Sequence, residues 1–288
     1  MNMKRFVFVL LLALGFPCAG QASAASSGAE SLSIEGGAGQ PLSLLLYRPA
    51  SKVKASGGAI VLFHGGGWTV GEARWIEPAA KLMADAGLLA VSVEYRLADQ
   101  AGTTPYDSVA DARAALRWVR RNATRLGVDP QRIAAGGISA GGHIAASIAV
   151  FDAPFADAVS ARPDALVLWS PAVSVAQDGW FRKLTGGAAR AAALSPDLHI
   201  RSGLPPAVLL QGEKDSVTPS VGARRFCERM RVSGNRCELT VFPGVGHLFT
   251  RNLEQQEEPD YSAIDLAIDA EADRMALVFL REIGFIAN

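Results

Sequence analysis

The sequence predicts one α/β domain, with a mostly parallel central β-sheet and helices on both faces of that sheet. Its composition is that of a chain that buries a core, since 49% of the 288 residues are hydrophobic and 19% are charged. Short apolar segments alternate along the chain with longer segments of helical periodicity. Neither an internal repeat nor an interdomain linker interrupts this alternation. We therefore expect a single domain over residues 25–288.

Residues 1–24 have the features of a secretory signal peptide. Lys4 and Arg5 precede an apolar run of about eleven residues, and the small residues Ala22 and Ala24 follow it. The run is well short of the roughly twenty residues that a membrane-spanning helix needs. Cys18 suggests a lipoprotein as the alternative, but bulky residues precede it where small ones are normal. We expect cleavage after Ala24, a periplasmic or secreted protein, and no stable membrane insertion.

The domain is predicted to begin with a β-hairpin, because residues 31–49 alternate polar and apolar positions around three glycines. Six apolar segments then predict the strands of a mostly parallel sheet, at 59–63, 89–93, 132–135, 165–169, 207–210 and 238–242. Apolar residues spaced three and four apart predict covering helices at 76–86, 106–126, 140–151 and 221–232, and a closing helix at 261–284.

A nucleophilic serine is predicted at Ser139, the centre of the motif Gly-Ile-Ser-Ala-Gly. The motif follows a predicted strand and begins a predicted helix, which is the context of a nucleophile elbow. Such a sharp turn strains the serine backbone, and glycine two residues away on either side avoids Cβ clashes. The alternative is a glycine-rich helix start that the serine caps. The placement between strand and helix favours the nucleophile.

An oxyanion loop is predicted in His-Gly-Gly-Gly-Trp, residues 64–68, directly after the strand at 59–63. The amides of Gly65 or Gly66, together with that of Ala140, would stabilise a negatively charged tetrahedral intermediate. A flexible loop or a phosphate cradle is the alternative, but no Lys-Ser/Thr pair or G-x-G-x-x-G spacing follows. We expect His64 to order this loop by hydrogen bonding rather than to catalyse.

The motifs H-G-G-G-W, Tyr95-Arg96-Leu97 and G-I-S-A-G-G-H, in this order, resemble those of bacterial esterases of the α/β-hydrolase superfamily. The likeness is greatest to the compact feruloyl-esterase and acetyl-xylan-esterase-like group, with hormone-sensitive-lipase-like esterases as cousins, and it covers nearly the whole mature chain. The resemblance implies the α/β-hydrolase fold and a serine carboxylic-ester hydrolase that uses no cofactor.

The resemblance places the catalytic acid at Asp215 and the catalytic base at His247. The order of the residues supports this assignment, because the fold supplies serine, acid and histidine in that order and only His247 follows Asp215 among the four histidines. Glu213 is the alternative acid. We expect His143 and His199 to be structural residues.

Trp68, Trp180 and Phe181 are predicted to line the substrate pocket, with packing of the loops as the alternative. The mature chain has a short segment before its hairpin, and residues 172–201 form the only sizeable insertion. We therefore expect short acyl esters as substrates, and the resemblance adds acetylated or feruloylated carbohydrates. A peptidase or amidase on the same triad, including a formamidase-like one, and a non-catalytic hydrolase-like binding protein are the other hypotheses.

The charge balance and the cysteine pattern indicate which partners and cofactors the protein can have. The 28 basic and 28 acidic residues balance, so no basic field predicts nucleic-acid binding. No His or Cys pattern has metal-ligand spacing, and we expect neither a metal nor a cofactor. Once the signal peptide is removed, Cys227 and Cys237 remain, and export predicts a disulfide between them. The alternative is a free cysteine, because Cys227 shares the inward stripe of its helix. The sequence predicts no oligomeric state.

Overall fold

The computed structural model describes residues 28–98, 102–151, 159–257 and 261–287. The predicted signal peptide, residues 1–24, lies outside the described residues, as does Cys18. Within the described ranges, no helix combines the length and the apolar character that crossing a bilayer requires.

One eight-stranded sheet organises the described residues, in the order β1-β2-β4-β3-β5-β6-β7-β8. Its strands are Glu30–Glu35 (β1), Pro41–Tyr47 (β2), Ala59–Phe63 (β3), Leu89–Val93 (β4), Ile133–Ile138 (β5), Ala165–Trp169 (β6), Ala207–Gly212 (β7) and Cys237–Phe242 (β8). β2 pairs antiparallel with β1 and with β4, and all other neighbouring strands are parallel. The predicted hairpin and mostly parallel sheet are confirmed.

Eight α-helices accompany the sheet. They are Glu77–Asp85 (α1), Pro105–Arg121 (α2), Ala123–Leu126 (α3), Ala140–Val150 (α4), Gly179–Thr185 (α5), Ala188–Ala193 (α6), Ser220–Val232 (α7) and Leu266–Glu282 (α8) among the described residues. Two of the predicted helices have bounds that differ from the structure by more than one residue. The helix predicted at 106–126 breaks at Asn122, whose side chain bonds back to the Trp118 carbonyl at 2.8 Å. The last helix begins at Leu266 because Asp265 caps it.

The helices bury apolar side chains on both faces of the sheet. Val61 and Phe63 of β3 point into the core that α2, α4 and α7 cover, and Ile60 and Leu62 point into the core beneath α1 and α8. Every residue of β3 is buried, which explains why parallel strands of this kind have continuous apolar sequences.

The parallel strands bring the predicted functional loops to one edge of the sheet. Ser139 follows β5, Asp215 follows β7, His247 follows β8, and residues 64–68 follow β3. Because the carboxyl ends of parallel strands meet at the same edge, these four segments converge, as is usual for binding sites in α/β folds.

A disulfide between Cys227 and Cys237 joins α7 to the start of β8, with Cα atoms 5.4 Å apart. Both cysteines are buried. The inward position of Cys227 on its helix is therefore compatible with a bridge, because β8 lies directly beneath α7.

Candidate active site

Ser139 occupies a strained turn between β5 and α4. Its φ of 53° and ψ of −116° lie outside the regions that non-glycine residues normally adopt. Glycine is required on both sides of it. A Cβ on Gly137 would lie 2.4 Å from the carbonyl carbon of Gly141, and a Cβ on Gly141 would lie 2.0 Å from the Phe63 oxygen. The glycines thus let the turn close against β3, as the motif predicted.

Ser139, His247 and Asp215 form a hydrogen-bonded series. His247 Nε2 lies 3.0 Å from Ser139 Oγ, and His247 Nδ1 lies 2.9 Å from Asp215 Oδ2. All three side chains are at least nine-tenths buried. The alternative acid Glu213 contacts Lys214 and the Gly244 amide instead. This arrangement can transfer a proton from a serine hydroxyl to an imidazole whose other nitrogen is held by a carboxylate.

Five contacts hold the Asp215 carboxylate in place. Oδ1 accepts the amide hydrogens of Val217, at 3.0 Å, and of Thr218, at 2.7 Å. Oδ2 lies 2.8 Å from Gln211 Nε2 and 2.8 Å from the Thr218 hydroxyl, in addition to His247. Neither Gln211 nor Thr218 was predicted from the sequence to be part of the site. The spacing could have indicated Thr218, because aspartate side chains commonly accept from residues two and three positions later.

Gln256 connects the loop of the acid with the loop of the base. Its Oε1 accepts the amide hydrogens of His247, at 2.9 Å, and of Ser216, at 3.0 Å. Its Nε2 donates to the carbonyls of Lys214, at 3.0 Å, and Leu253, at 3.2 Å. This side chain is buried. No local motif indicates Gln256, since it contacts the site only through the folded path of the loop.

The predicted oxyanion loop lies beside the serine. An added Cβ on Gly65 would be 3.5 Å from Ser139 Cβ. Neither the Gly65 nor the Gly66 amide donates a hydrogen bond to any residue that the structure describes. Ala140 is the first residue of α4, so its amide belongs to the helix N-terminus, where N–H groups lack intrahelical acceptors. The Gly65 and Ala140 amides are thus available near the serine, and the Gly66 amide is unpaired among the described residues.

His64 makes hydrogen-bonding and stacking contacts within and beside the predicted oxyanion loop. Its ring stacks on Tyr95 with centroids 4.3 Å apart, and the Tyr95 hydroxyl donates to the His64 carbonyl at 2.8 Å. Burial lowers the pKa of His64 to about 4, so the ring is neutral at physiological pH. Its Nδ1 donates to the Gly65 carbonyl at 2.6 Å.

The three aromatic residues predicted to line the pocket differ in exposure. Trp180 is 46% exposed, and its Nε1 donates to the Gly67 carbonyl at 3.1 Å. Trp68 and Phe181 are buried against each other, with ring centroids 4.7 Å apart. Trp180 therefore presents an aromatic surface to solvent beside the predicted oxyanion loop, whereas the side chains of Trp68 and Phe181 pack against each other in the interior.

One cavity lies apart from this site. It has a volume of about 540 Å³ and opens near the amino ends of β5 and β6, between Arg120, Gln131 and Arg162, at the edge of the sheet opposite Ser139. No group of three or more His, Cys, Asp or Glu residues suited to a metal ion occurs in the part of the chain that the structure describes.

The sequence matches proteins of one family. A family model described as alpha/beta hydrolase fold matches residues 60–191. An ethyl acetate hydrolase of Pseudomonas putida is 34% identical over 245 residues, which cover 77% of this chain and 76% of that protein. The carboxylesterase NlhH of Mycobacterium tuberculosis is 48% identical over 92 residues, which cover 31% of this chain and 28% of that relative's length.

Solved structures lead to the same family. An esterase of the planctomycete Thermogutta terrifontis with bound propionate is 34% identical, with a TM-score of 0.75, over 91% of this chain and 96% of that one. Esterase 2 of that organism, phosphorylated by paraoxon, is 35% identical with a TM-score of 0.77 over the same shares, 91% and 96%. The fold and the serine site define an α/β hydrolase. The chain belongs to the α/β-hydrolase family, and the relatives it matches are named as ester hydrolases.

Proposed function

We propose that this protein is a serine carboxylesterase that hydrolyses short acyl esters through Ser139, His247 and Asp215. One observation carries the proposal: the His247 imidazole lies 3.0 Å from Ser139 Oγ through Nε2 and 2.9 Å from the Asp215 carboxylate through Nδ1. A non-catalytic binding protein has no need of a buried imidazole aligned between a strained serine and a carboxylate.

The proposed reaction has two steps. Ser139 Oγ attacks the ester carbonyl carbon while His247 Nε2 takes the hydroxyl proton, and His247 then returns that proton to the leaving alcohol. An acyl-enzyme on Ser139 results. In the second step His247 removes a proton from water, the hydroxide attacks the acyl carbon, and the acid leaves as Ser139 recovers its proton. Asp215 orients the imidazole and stabilises its charged form.

The amides of Gly65, Gly66 and Ala140 are the proposed oxyanion donors. Both tetrahedral intermediates carry a negative oxygen, and a preorganised donor stabilises each of them by about 3 kcal/mol. Two observations support the assignment. The Gly65 backbone adjoins Ser139 Cβ, and the amides of Gly65 and Gly66 donate to no protein group among the described residues.

The acyl chain of the proposed substrate is short. The side chains of Trp68, His143 and Phe181 pack together behind the glycines of the oxyanion loop, with centroids 4.7–5.2 Å apart, and this close aromatic packing supports a short acyl site. Relatives support the same range, since one is named an ethyl acetate hydrolase and the Thermogutta terrifontis esterase was solved with propionate and with butyrate.

A panel of p-nitrophenyl esters tests the acyl length. We expect kcat/KM to be highest for acetate or butyrate, because a longer chain gains about 0.8 kcal/mol per methylene only where the site buries it. A maximum at octanoate or palmitate would contradict the short-acyl proposal. An anilide of the best acyl group, added to the panel, tests the amidase hypothesis: turnover at the rate of the ester would contradict an esterase.

For the alcohol part of the substrate, we propose a carbohydrate that carries an acetyl or a feruloyl group as its ester. The half-exposed Trp180 supports this, since a sugar ring or a feruloyl group can stack on an aromatic ring that lies beside the oxyanion loop. Acetylated xylo-oligosaccharide and a feruloylated arabinose are compared with ethyl acetate for the wild type and for Trp180→Ala. A loss confined to the carbohydrate esters is expected, and equal losses on all three would contradict the proposal.

We further propose that the protein is exported to the periplasm or beyond. The basic and apolar pattern of residues 1–24 supports export, as does the disulfide between Cys227 and Cys237. Fractionation of the native cells followed by N-terminal sequencing tests it. The expected product begins at Ala25 outside the cytoplasm, and a cytoplasmic chain that retains Met1 would contradict export.

A further inference from the structure

Trp68 has a backbone conformation that its side chain disfavours. Its φ is 64°, in the left-handed region, where a bulky non-glycine residue is strained by about 1–3 kcal/mol. It follows three consecutive glycines and ends the loop that contains Gly65 and Gly66. Surrounding contacts must therefore hold Trp68 in this conformation.

Three contacts fix Trp68 from different directions. Its indole Nε1 donates to His143 Nδ1 at 3.2 Å. Its carbonyl accepts the amide hydrogen of Ala98 at 2.7 Å. Its ring packs on Phe181 and meets the His143 ring edge to face, with centroids 5.2 Å apart. The indole bond is the contact that connects Trp68 to the helix of the serine, because its partner His143 lies on α4, one turn after Ser139.

The bond to Trp68 requires one tautomer of His143. Since Nδ1 accepts from the indole, the ring proton resides on Nε2, which donates to the Leu194 carbonyl at 2.9 Å. In a protonated ring both nitrogens carry a hydrogen, so Nδ1 could not accept the hydrogen bond from the indole N–H. Burial lowers the pKa of His143 to about 4, so the neutral form persists under ordinary conditions. His143, which lies on α4, thereby connects the oxyanion loop, through Trp68, with the end of α6, through Leu194.

We propose that the Trp68–His143 hydrogen bond positions the oxyanion loop, and that these two positioning residues support turnover through the Gly65 and Gly66 amides. The inference rests on the proposed esterase function. Oxyanion donors act only when they are held within about 0.5 Å of the productive geometry. Without the indole bond, the strained Trp68 backbone can relax, and the preceding glycines can shift with it because glycine has a wide range of allowed torsion angles.

Trp68→Phe tests the inference, because it removes the indole N–H and keeps an aromatic ring. We expect kcat on p-nitrophenyl butyrate to fall about 10- to 100-fold, less than the loss of a whole oxyanion donor, while KM changes less than about threefold. The inhibition constant of a short alkyl boronic acid, which mimics the tetrahedral intermediate, should rise by a factor similar to the fall in kcat/KM. Trp118→Phe on α2 is the matched control and should change none of these.

A pair of His143 variants gives an independent test. Asn places an acceptor near the position of Nδ1, whereas Leu has none, so His143→Asn should recover most of the activity that His143→Leu loses. Combining His143→Leu with Trp68→Phe should lower kcat no further than either change alone, because both remove the same bond.

Several results would overturn the inference. These are full activity in both Trp68→Phe and His143→Leu, equal activity of the Asn and Leu variants, or a loss in Trp68→Phe that resides in KM, which would indicate a pocket wall. The esterase proposal fails differently, since the wild type itself would then hydrolyse no ester. Circular dichroism and unfolding midpoints confirm that each variant is folded.

Discussion

The hydroxyl oxygen of Thr218 lies 2.8 Å from Asp215 Oδ2, the same carboxylate oxygen that lies 2.9 Å from His247 Nδ1. The hydroxyl is also 3.0 Å from the Ser170 carbonyl, at the end of β6. One side chain therefore links the acid, which follows β7, to the strand next to it. The orientation of Asp215 depends on this link as well as on the loop backbone.

Replacing Thr218 by Val should lower kcat/KM about tenfold with little change in KM. The variant keeps the shape of the side chain and removes the hydroxyl. A hydrogen bond to a charged group contributes about 1.5–3 kcal/mol, and we expect the loss of part of this energy to slow turnover. Thr218→Ser restores the hydroxyl and is the control, with activity close to that of the wild type. Kinetics on p-nitrophenyl butyrate decide the matter, and a Val variant within twofold of the wild type would refute the role of Thr218.

Ser139→Ala should reduce ester turnover by at least about a thousandfold, since removal of a triad nucleophile leaves only binding and oxyanion stabilisation. Stability should not fall, because the substitution removes a hydroxyl from a turn rather than a group from the core. The exposed Ser33 of β1 provides a matched control, Ser33→Ala, with full activity. Turnover of Ser139→Ala above a thousandth of the wild-type rate would argue for another nucleophile.

Two buried histidines make stability depend on pH. Burial lowers the pKa of His64 and of His143 to about 4, whereas an unfolded histidine binds its proton near about pH 6.5. Between these values the unfolded chain takes up protons that the folded chain excludes. Stability is therefore complete above about pH 6.5 and falls on acidification, by about 2 kcal/mol per histidine at about pH 5.

Denaturant unfolding at pH 7.5 and pH 5 checks this prediction in the wild type and in His143→Asn. The difference between the two pH values should be about 2 kcal/mol smaller in the variant, which lacks one of the histidines. Asp273 acts in the opposite direction, because burial and the nearby Asp269 raise its pKa to about 6, but it is common to both proteins. An identical pH dependence in the two proteins would contradict a buried neutral His143.

Reduction of the disulfide should destabilise the protein by about 2–3 kcal/mol, the loop-closure entropy for a separation of 10 residues. Denatured protein that begins at Ala25 should show no titratable thiol before reduction and two after it. A Cys227→Ser, Cys237→Ser double variant should have the stability of the reduced protein. Two thiols in the denatured, unreduced wild type would show that the cysteines are free.

Apolar segments predicted the parallel strands well, because strands buried on both faces leave a continuous signal in the sequence. β3, β4 and β6 have the predicted bounds. β5 extends to Ile138, three residues beyond its predicted end, because Gly136 and Gly137 pair within the sheet. In a sequence, glycines usually indicate a turn. Here Gly136 lies within the strand, where glycine is needed because an added Cβ would lie 2.9 Å from the Val167 carbonyl of the next strand.

The site was predictable to the extent that its residues stand in local motifs. Ser139 and the glycines around it belong to such a motif. The resemblance to bacterial esterases indicates Asp215 and His247, and their order in the chain supports that assignment. Gln256 contacts the amides of His247 and Ser216 only because two loops fold against each other, and no spacing indicates that. The packing of Trp68 behind the loop depends likewise on His143, which is 75 residues away in sequence.

Covalent labelling with paraoxon tests the central claim most directly, because the reagent forms a stable phosphoryl ester only on an activated serine. Peptide mass spectrometry of the native wild-type protein should find one diethylphosphoryl group per chain, on Ser139, in parallel with complete loss of p-nitrophenyl butyrate hydrolysis. Heat-denatured protein and Ser139→Ala should remain unlabelled. Modification of a different residue that accounts for the loss of activity, or full activity with Ser139 completely modified, would contradict the assignment of Ser139 as the nucleophile.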